Sequence, residues 1–115
     1  MLSAVLAAIA ALQDPSIAHG IIQRPEWVQT PTAAQLEPPR VTEWPAEGEA
    51  RLLCTVEADG RLSRCVIESI STQHRAAEPW ALAAARGFRH AVQTSDGLAA
   101  AGLKVRLTLR WDVGE

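Results

Sequence analysis

No apolar run in this 115-residue chain is long enough to cross a bilayer: the longest, Leu2 to Leu12, spans eleven residues, and a spanning helix needs about 20. There is no Cys-x-x-Cys pair either, because the only two cysteines, Cys54 and Cys65, stand eleven apart. Thiol–disulfide enzymes want the close spacing with a lowered thiol pKa, so a structural staple is the expected role. His19, His74 and His90 are scattered, and no pair of them has metal-ligand spacing. A Cys2His2 set of Cys54, Cys65, His74 and His90 lacks the short knuckle of a zinc site. Ser63, Ser69, Ser71 and Ser95 fall into no Ser/His/Asp arrangement. Asp59 and Asp96 each precede a glycine in a turn, and neither turn is a glycine-rich loop opening a helix onto phosphate. The expectation is a non-enzymatic protein with no metal and no cofactor.

Strong charge is also lacking. A formal net charge of −2 points to neither a nucleic acid nor an acidic substrate. Its distribution is uneven, with eight acids against three bases from Asp14 to Asp59, and six bases against two acids from Arg75 to Arg110. The basic half suits an anionic strand, but a solvated face is the simpler reading.

What is present is a β-hairpin with a cysteine on each arm, Glu49 to Glu68, turning at Asp59-Gly60. Gly accepts positive φ and Asp bonds its own backbone, so the dipeptide is a strong turn. A two- or four-residue loop there sets Glu57 against Leu62, Val56 against Ser63 and Cys54 against Cys65. Opposed Cβ atoms lie about 4.5–5.5 Å apart, close to bridging distance. The pairing depends on the turn type, because a one-residue bulge reverses the faces.

Leu2 to Leu12 matches the core of a secretory leader, with Ser16-Ile-Ala18 supplying small residues before a cut ahead of His19. No Lys or Arg precedes it, and an N-terminal amphipathic or buried helix is the alternative. Export and paired thiols support each other, since disulfides persist in oxidising compartments. Residues 19–47 then form a proline-rich, extended lead-in carrying Pro25, Pro31, Pro38, Pro39 and Pro45, with one helical turn at Thr32 to Leu36. Trp27 and Trp44 in this arm are expected to cover a core edge.

Ala50, Leu52, Cys54 and Val56 point one way, opposite Arg51, Leu53, Thr55 and Glu57. Pro79 at a first helical position, alanines, Arg86 and Gly87 mark a short helix with Trp80, Ala83 and Ala84 on its buried face. Past the turn at Asp96-Gly97, Leu103, Val105, Leu107, Leu109 and Trp111 alternate with Lys104, Arg106, Thr108 and Arg110. The order β-β-α-β predicts an α+β, two-layer fold: a three-stranded antiparallel sheet with the short helix on one face, over 48–113.

These residues resemble the C-terminal domain of TonB energy transducers. The motifs are Glu47-Gly48 entering the first strand, Val56 to Leu62 at the hairpin, an alanine-rich helix into Phe88-Arg89, and Asp96-Gly97 before the last strand. Cys54 and Cys65, with Pro25-Glu-Trp-Val28 ahead of them, resemble a subgroup with a paired-cysteine hairpin. Departures are Val92 where a proline usually stands, a shorter segment between Pro39 and Gly48, and Trp44-Pro45 within it. These 115 residues show neither the membrane anchor nor the long Pro/Lys-rich spacer of full transducers. The resemblance therefore implies a periplasmic receptor-contacting domain, not force transduction. It implies that an extended peptide of an outer-membrane transporter adds to an exposed sheet edge, here at Lys104, Arg106, Thr108 and Arg110. No small-molecule substrate is expected, and the membrane is met only indirectly. A scaffolding domain that keeps the fold but not the transporter contact is the alternative.

Overall fold

The computed structural model describes residues 16–112; the apolar run Leu2 to Leu12, where the leader is expected, lies outside them. Strands β1 (Ile17–Ala18), β2 (Ile21–Ile22) and β3 (Trp27–Gln29) come first, followed by helix α1 (Ala33–Leu36). The hairpin strands β4 (Glu47–Val56) and β5 (Leu62–Ile70) precede α2 (Ala77–Ala85), β6 (Arg89–His90) and β7 (Lys104–Asp112). The protein is α+β with a sheet core. The three strands expected from alternation, β4, β5 and β7, lie in the order β7-β4-β5, but within a sheet of five. β1 and β2 extend it beyond β7, and β3 pairs with β6 in a separate two-stranded ribbon. These additions fall on stretches of two or three residues, too short to show a period.

β4 is central, pairing β7 without interruption from Glu47↔Asp112 to Thr55↔Lys104. Its inward set Ala50, Leu52, Cys54 and Val56 meets Val105, Leu107, Leu109 and Trp111 of β7 in one buried cluster beneath α2. The helix begins at Ala77, two residues before the expected start, so Pro79 sits inside the first turn, where a missing N–H costs nothing. Its buried residues are Ala77, Trp80, Ala81, Ala84 and Ala85; Ala83, expected inside, is exposed. Gly87 is needed for closeness, because a Cβ there would meet Pro31 and Gln35 of the lead-in at 2.9 Å.

The proline-rich arm is fastened by indoles. Trp44, Trp80 and Trp111 form one cluster with ring centroids 4.9–5.9 Å apart. Trp80 Nε1 donates to the Glu37 carbonyl at 3.2 Å and Trp111 Nε1 to the Pro45 carbonyl at 3.1 Å. Trp27 packs on Phe88 at 4.9 Å. Thr32 caps α1 in a capping box with Gln35. Both lead-in tryptophans thus cover the core's edge, as expected.

The hairpin corrects the expected register. Glu57 N–H donates to the Arg61 carbonyl at 2.7 Å, closing a three-residue loop over Ala58, Asp59 and Gly60, with Gly60 at φ 89°. An odd loop slips the pairing by one, so Val56 faces Leu62 and Thr55 faces Ser63. Arg64, at φ 52°, then bulges out between the Thr55↔Ser63 and Leu53↔Val66 pairs. The bulge adds back the lost residue. Cys54 and Cys65 come face to face after all, bonded with Cα atoms 4.0 Å apart. The bridge spans eleven residues; on the chain-entropy account a loop of that length stabilises by about 3 kcal/mol. Cys54→Ala with Cys65→Ala should lose most of that in denaturant melts, and a non-reduced digest of the parent should yield the two cysteine peptides linked. Two free thiols in protein recovered from an oxidising compartment would overturn the pairing.

Candidate functional site

The candidate site is the edge of β7. Its exposure alternates without a fault, Lys104, Arg106, Thr108, Arg110 and Asp112 outward and Val105, Leu107, Leu109 and Trp111 buried. Antiparallel ladders alternate the direction of the amides as well. Lys104 N–H points away from β4 and donates to the Gly20 carbonyl of the N-terminal hairpin at 2.9 Å. With no register shift along the β4 pairing, the N–H groups of Arg106, Thr108 and Arg110 point off the same edge. β2 pairs with β7 only at Ile21↔Lys104. Among the described residues, no strand covers the edge from Arg106 onward. The four residues expected to meet a partner thus share one face and one edge.

Their side chains are less available than the sequence implied. Arg106 Nε donates to Glu68 Oε1 at 2.8 Å, reaching across β4 to β5. Arg110 Nε donates to Glu49 Oε1 at 3.1 Å, and Arg51 shares that carboxylate at 3.0 Å. The Arg110 hydrogen bond leads in holding the Glu49 carboxyl below its ordinary range, and the Arg106 bond does the same for Glu68. Glu68 raises the pKa of Arg106 in return. Glu68 is itself the extra residue between Arg51↔Ser69 and Leu52↔Ile67, so a second bulge re-aims it onto this face. The signal for both bulges lies in β5, whose core-facing residues Leu62, Cys65, Ile67 and Ile70 step by three across Arg64 and again across Glu68; the ion-pair partners themselves depend on tertiary placement. Exposed pairs contribute little to stability, but they fix where the guanidinium groups lie.

The opposite edge of the sheet is a poor template. β5 carries bulges at Arg64 and Glu68, and irregular edges resist pairing. Of these two long strands, β7 is the one whose pairing with β4 runs without a register shift.

The upstream end of that ladder is set by the β1–β2 hairpin, whose turn residues His19 and Gly20 have φ 56° and 77°. The expected cut ahead of His19 falls at this turn, and Ile17 and Ala18 on its near side form a strand. Ile22 is buried in the core, Gln23 N–H closes onto the Ser16 carbonyl at 2.8 Å, and the Ser16 hydroxyl donates to Asp96 at 2.8 and 2.9 Å. The sequence held a clue in His19-Gly20 followed by two isoleucines. Ser16 and then Thr94 hold the Asp96 carboxyl below its ordinary range. A carboxyl lowered by folding stabilises above its unfolded pKa, about 3.9, and loses that contribution as pH falls through the folded value. Amide exchange at Lys104 and Gln23 should therefore accelerate, relative to core amides, as pH drops below the ordinary carboxylate range. Asp96→Ala should abolish that pH dependence; an unchanged profile in the variant would sink the tether.

His90 is fully buried, accepting from Glu26 N–H at Nε2 (3.0 Å) and donating from Nδ1 to the Ala91 carbonyl at 2.6 Å. His74 likewise bonds backbone, its Nδ1 accepting from Ala76 N–H and its Nε2 near the Thr42 carbonyl. Among the described residues no three His, Cys, Asp or Glu stand together as a metal cluster, and no helix is long and apolar enough to cross a membrane. Compared with models of known protein families and with curated proteins, the chain matches none.

Proposed function

We propose that this protein is a non-enzymatic, periplasmic protein-binding domain of TonB C-terminal type that takes an extended peptide of an outer-membrane transporter onto β7. The single observation that carries the reading is the unbroken β7 edge, with the amides of Arg106, Thr108 and Arg110 aimed away from the sheet. Backbone pairing supplies affinity in such modules, and alternate side chains select. The three expected strands with a helix on one face support the likeness, and the disulfide fits an oxidising compartment. A scaffolding role is the second reading. It is favoured by the ion pairs that already occupy Arg106 and Arg110, which leave Lys104, of the three cations on this edge, without an ion pair among the described residues. Adding peptides from the periplasmic ends of outer-membrane transporters should slow amide exchange at Arg106, Thr108 and Arg110 and leave β5 unchanged. Protection at β5 instead, or none at either edge, would transfer the conclusion to the scaffold.

A further inference from the structure

A second surface lies across the sheet from β7, where the hairpin tip, the end of α2 and β6 converge. A cleft of about 430 Å3 opens there, floored by Leu62 and Phe88 and rimmed by Arg61, Arg86 and Arg89. A smaller hollow of about 180 Å3 adjoins it, sharing Leu62 and Arg86 and adding Arg64. Four of the chain's ten arginines meet at this spot, although the chain as a whole is acidic. No carboxylate lines either hollow. Asp59 is the neighbouring acid that meets the rim, 3.4 Å from Arg61 and 50% exposed. Glu57 is turned to the Ser63 hydroxyl. Arg89 spends only its Nε, on the Asp59 carbonyl at 3.0 Å, which fixes its fork at the mouth of the cleft. Arg64 and Arg86 are exposed and make no ion pair among the described residues.

Arg64 is held there by the backbone. It is the bulged residue of β5, in the left-handed region at φ 52°, a conformation uncommon for a residue with a side chain. The bulge that reunites the thiols therefore also sets a guanidinium beside Cys65 and Arg86. The carbonyls ending α2 do not oppose an anion strongly, because Ala83, Ala84 and Ala85 accept from Arg86, Gly87 and Phe88 N–H at 3.0–3.2 Å.

We propose that this cleft binds an acidic peptide segment, with carboxylates on the arginine forks and an apolar side chain against Leu62 and Phe88. Guanidinium forks match carboxylates two bonds at a time. The apolar floor selects for a peptide over a bare anion, which would gain nothing from Phe88. A cleft of this volume falls in the range of ligand sites. It uses neither the amides nor the face of β7, so it is a second, independent contact.

The probe is a fluorescein-labelled peptide, acetyl-Leu-Glu-Glu-Phe-Glu-amide, titrated against the whole protein by polarisation, with side-chain Nε–Hε resonances followed by NMR. The Arg86 and Arg89 signals should shift, binding should weaken as salt rises, and the all-glutamine counterpart should not bind. Arg64→Ala with Arg86→Ala removes two exposed, unpaired side chains, so the fold should hold in a parallel melt while affinity falls at least tenfold. Thr108→Pro should leave this binding untouched, which separates it from strand addition at β7. An unchanged affinity in the arginine double variant, or displacement by inorganic phosphate as potent as by unlabelled peptide, would overturn the proposal.

Discussion

Thr108→Pro should leave the domain folded and reduce peptide binding at least tenfold, whereas Leu107→Pro should unfold it. The two residues are neighbours with opposite backbone duties. Leu107 N–H faces β4 within a ladder running from Glu47↔Asp112 to Thr55↔Lys104, and its side chain is buried. Proline there removes a central hydrogen bond and forces its ring into the pairing strand. Thr108 N–H faces the opposite way, off the edge, and its side chain is exposed. Proline is tolerated in edge strands when the missing donor pointed to solvent. A tenfold loss corresponds to about 1.4 kcal/mol. One ladder bond is worth about 0.5–1.5 kcal/mol net, so the ring's interference with an incoming strand supplies the remainder. The measurement is a melt in parallel with a titration of the same transporter peptide. A folded Thr108→Pro protein that binds like the parent would falsify strand addition at β7.

Trp111→Ala should cost about 3–5 kcal/mol, the range for deleting a buried aromatic, and leave a folded domain whose denaturation midpoint is sharply lowered. Small domains hold only about 5–15 kcal/mol in total. Trp111 is 5% exposed and lies under Trp44 and Trp80, and its indole N–H holds the Pro45 carbonyl at 3.1 Å. Its loss therefore frees the lead-in as well as opening a cavity. Gly48 is its partner across the ladder, and a Cβ there would overlap the Trp111 ring and crowd Ser71 Oγ. Gly48→Ala alone should destabilise strongly. In the Trp111→Ala background the ring atoms that cause the overlap are gone, and the same change should cost far less. That non-additivity, measured by chemical denaturation of the four proteins, is the signature of direct contact. Additive losses would mean that Gly48 is needed for some reason other than the ring.

Much of the architecture was legible because burial imposes a period. The alternation from Leu103 to Trp111 and from Ala50 to Val56 specified two strands and their inner faces, and the structure places them so. The thiols were legible as a pair, but not the route to it. Asp59-Gly60 announces a turn without stating whether two, three or four residues close it. The observed three-residue loop and the Arg64 bulge are errors of opposite sign that cancel at Cys65. Ala83 and Ala81 were confused because alanines on every side of a helix leave no polar face to orient it. The β1–β2 hairpin was hidden by the expected leader, whose small residues Ser16 to Ala18 also suit a cut site. At the candidate edge, the four outward residues could be named from spacing, whereas Glu49 and Glu68 as their partners depend on tertiary placement. The arginines of the cleft lie up to 28 positions apart, from Arg61 to Arg89, and are brought together by the β6 contact with the hairpin tip.

The two sulfurs of the bridge are not equivalent to an approaching reagent. Cys54 has no exposed surface, enclosed between β5 and β7 with Val105 as its neighbour, while Cys65 keeps a side open toward the hollow beside α2. Thiol exchange begins when a thiolate reaches a sulfur, and in the native protein only Cys65 can be reached. Attack there would expel Cys54 as a thiolate into an apolar interior, and apolar surroundings disfavour thiolates. The native bond is thus guarded by the poverty of its leaving group, and its rate of reduction should level off at the rate of sheet opening as reductant is raised.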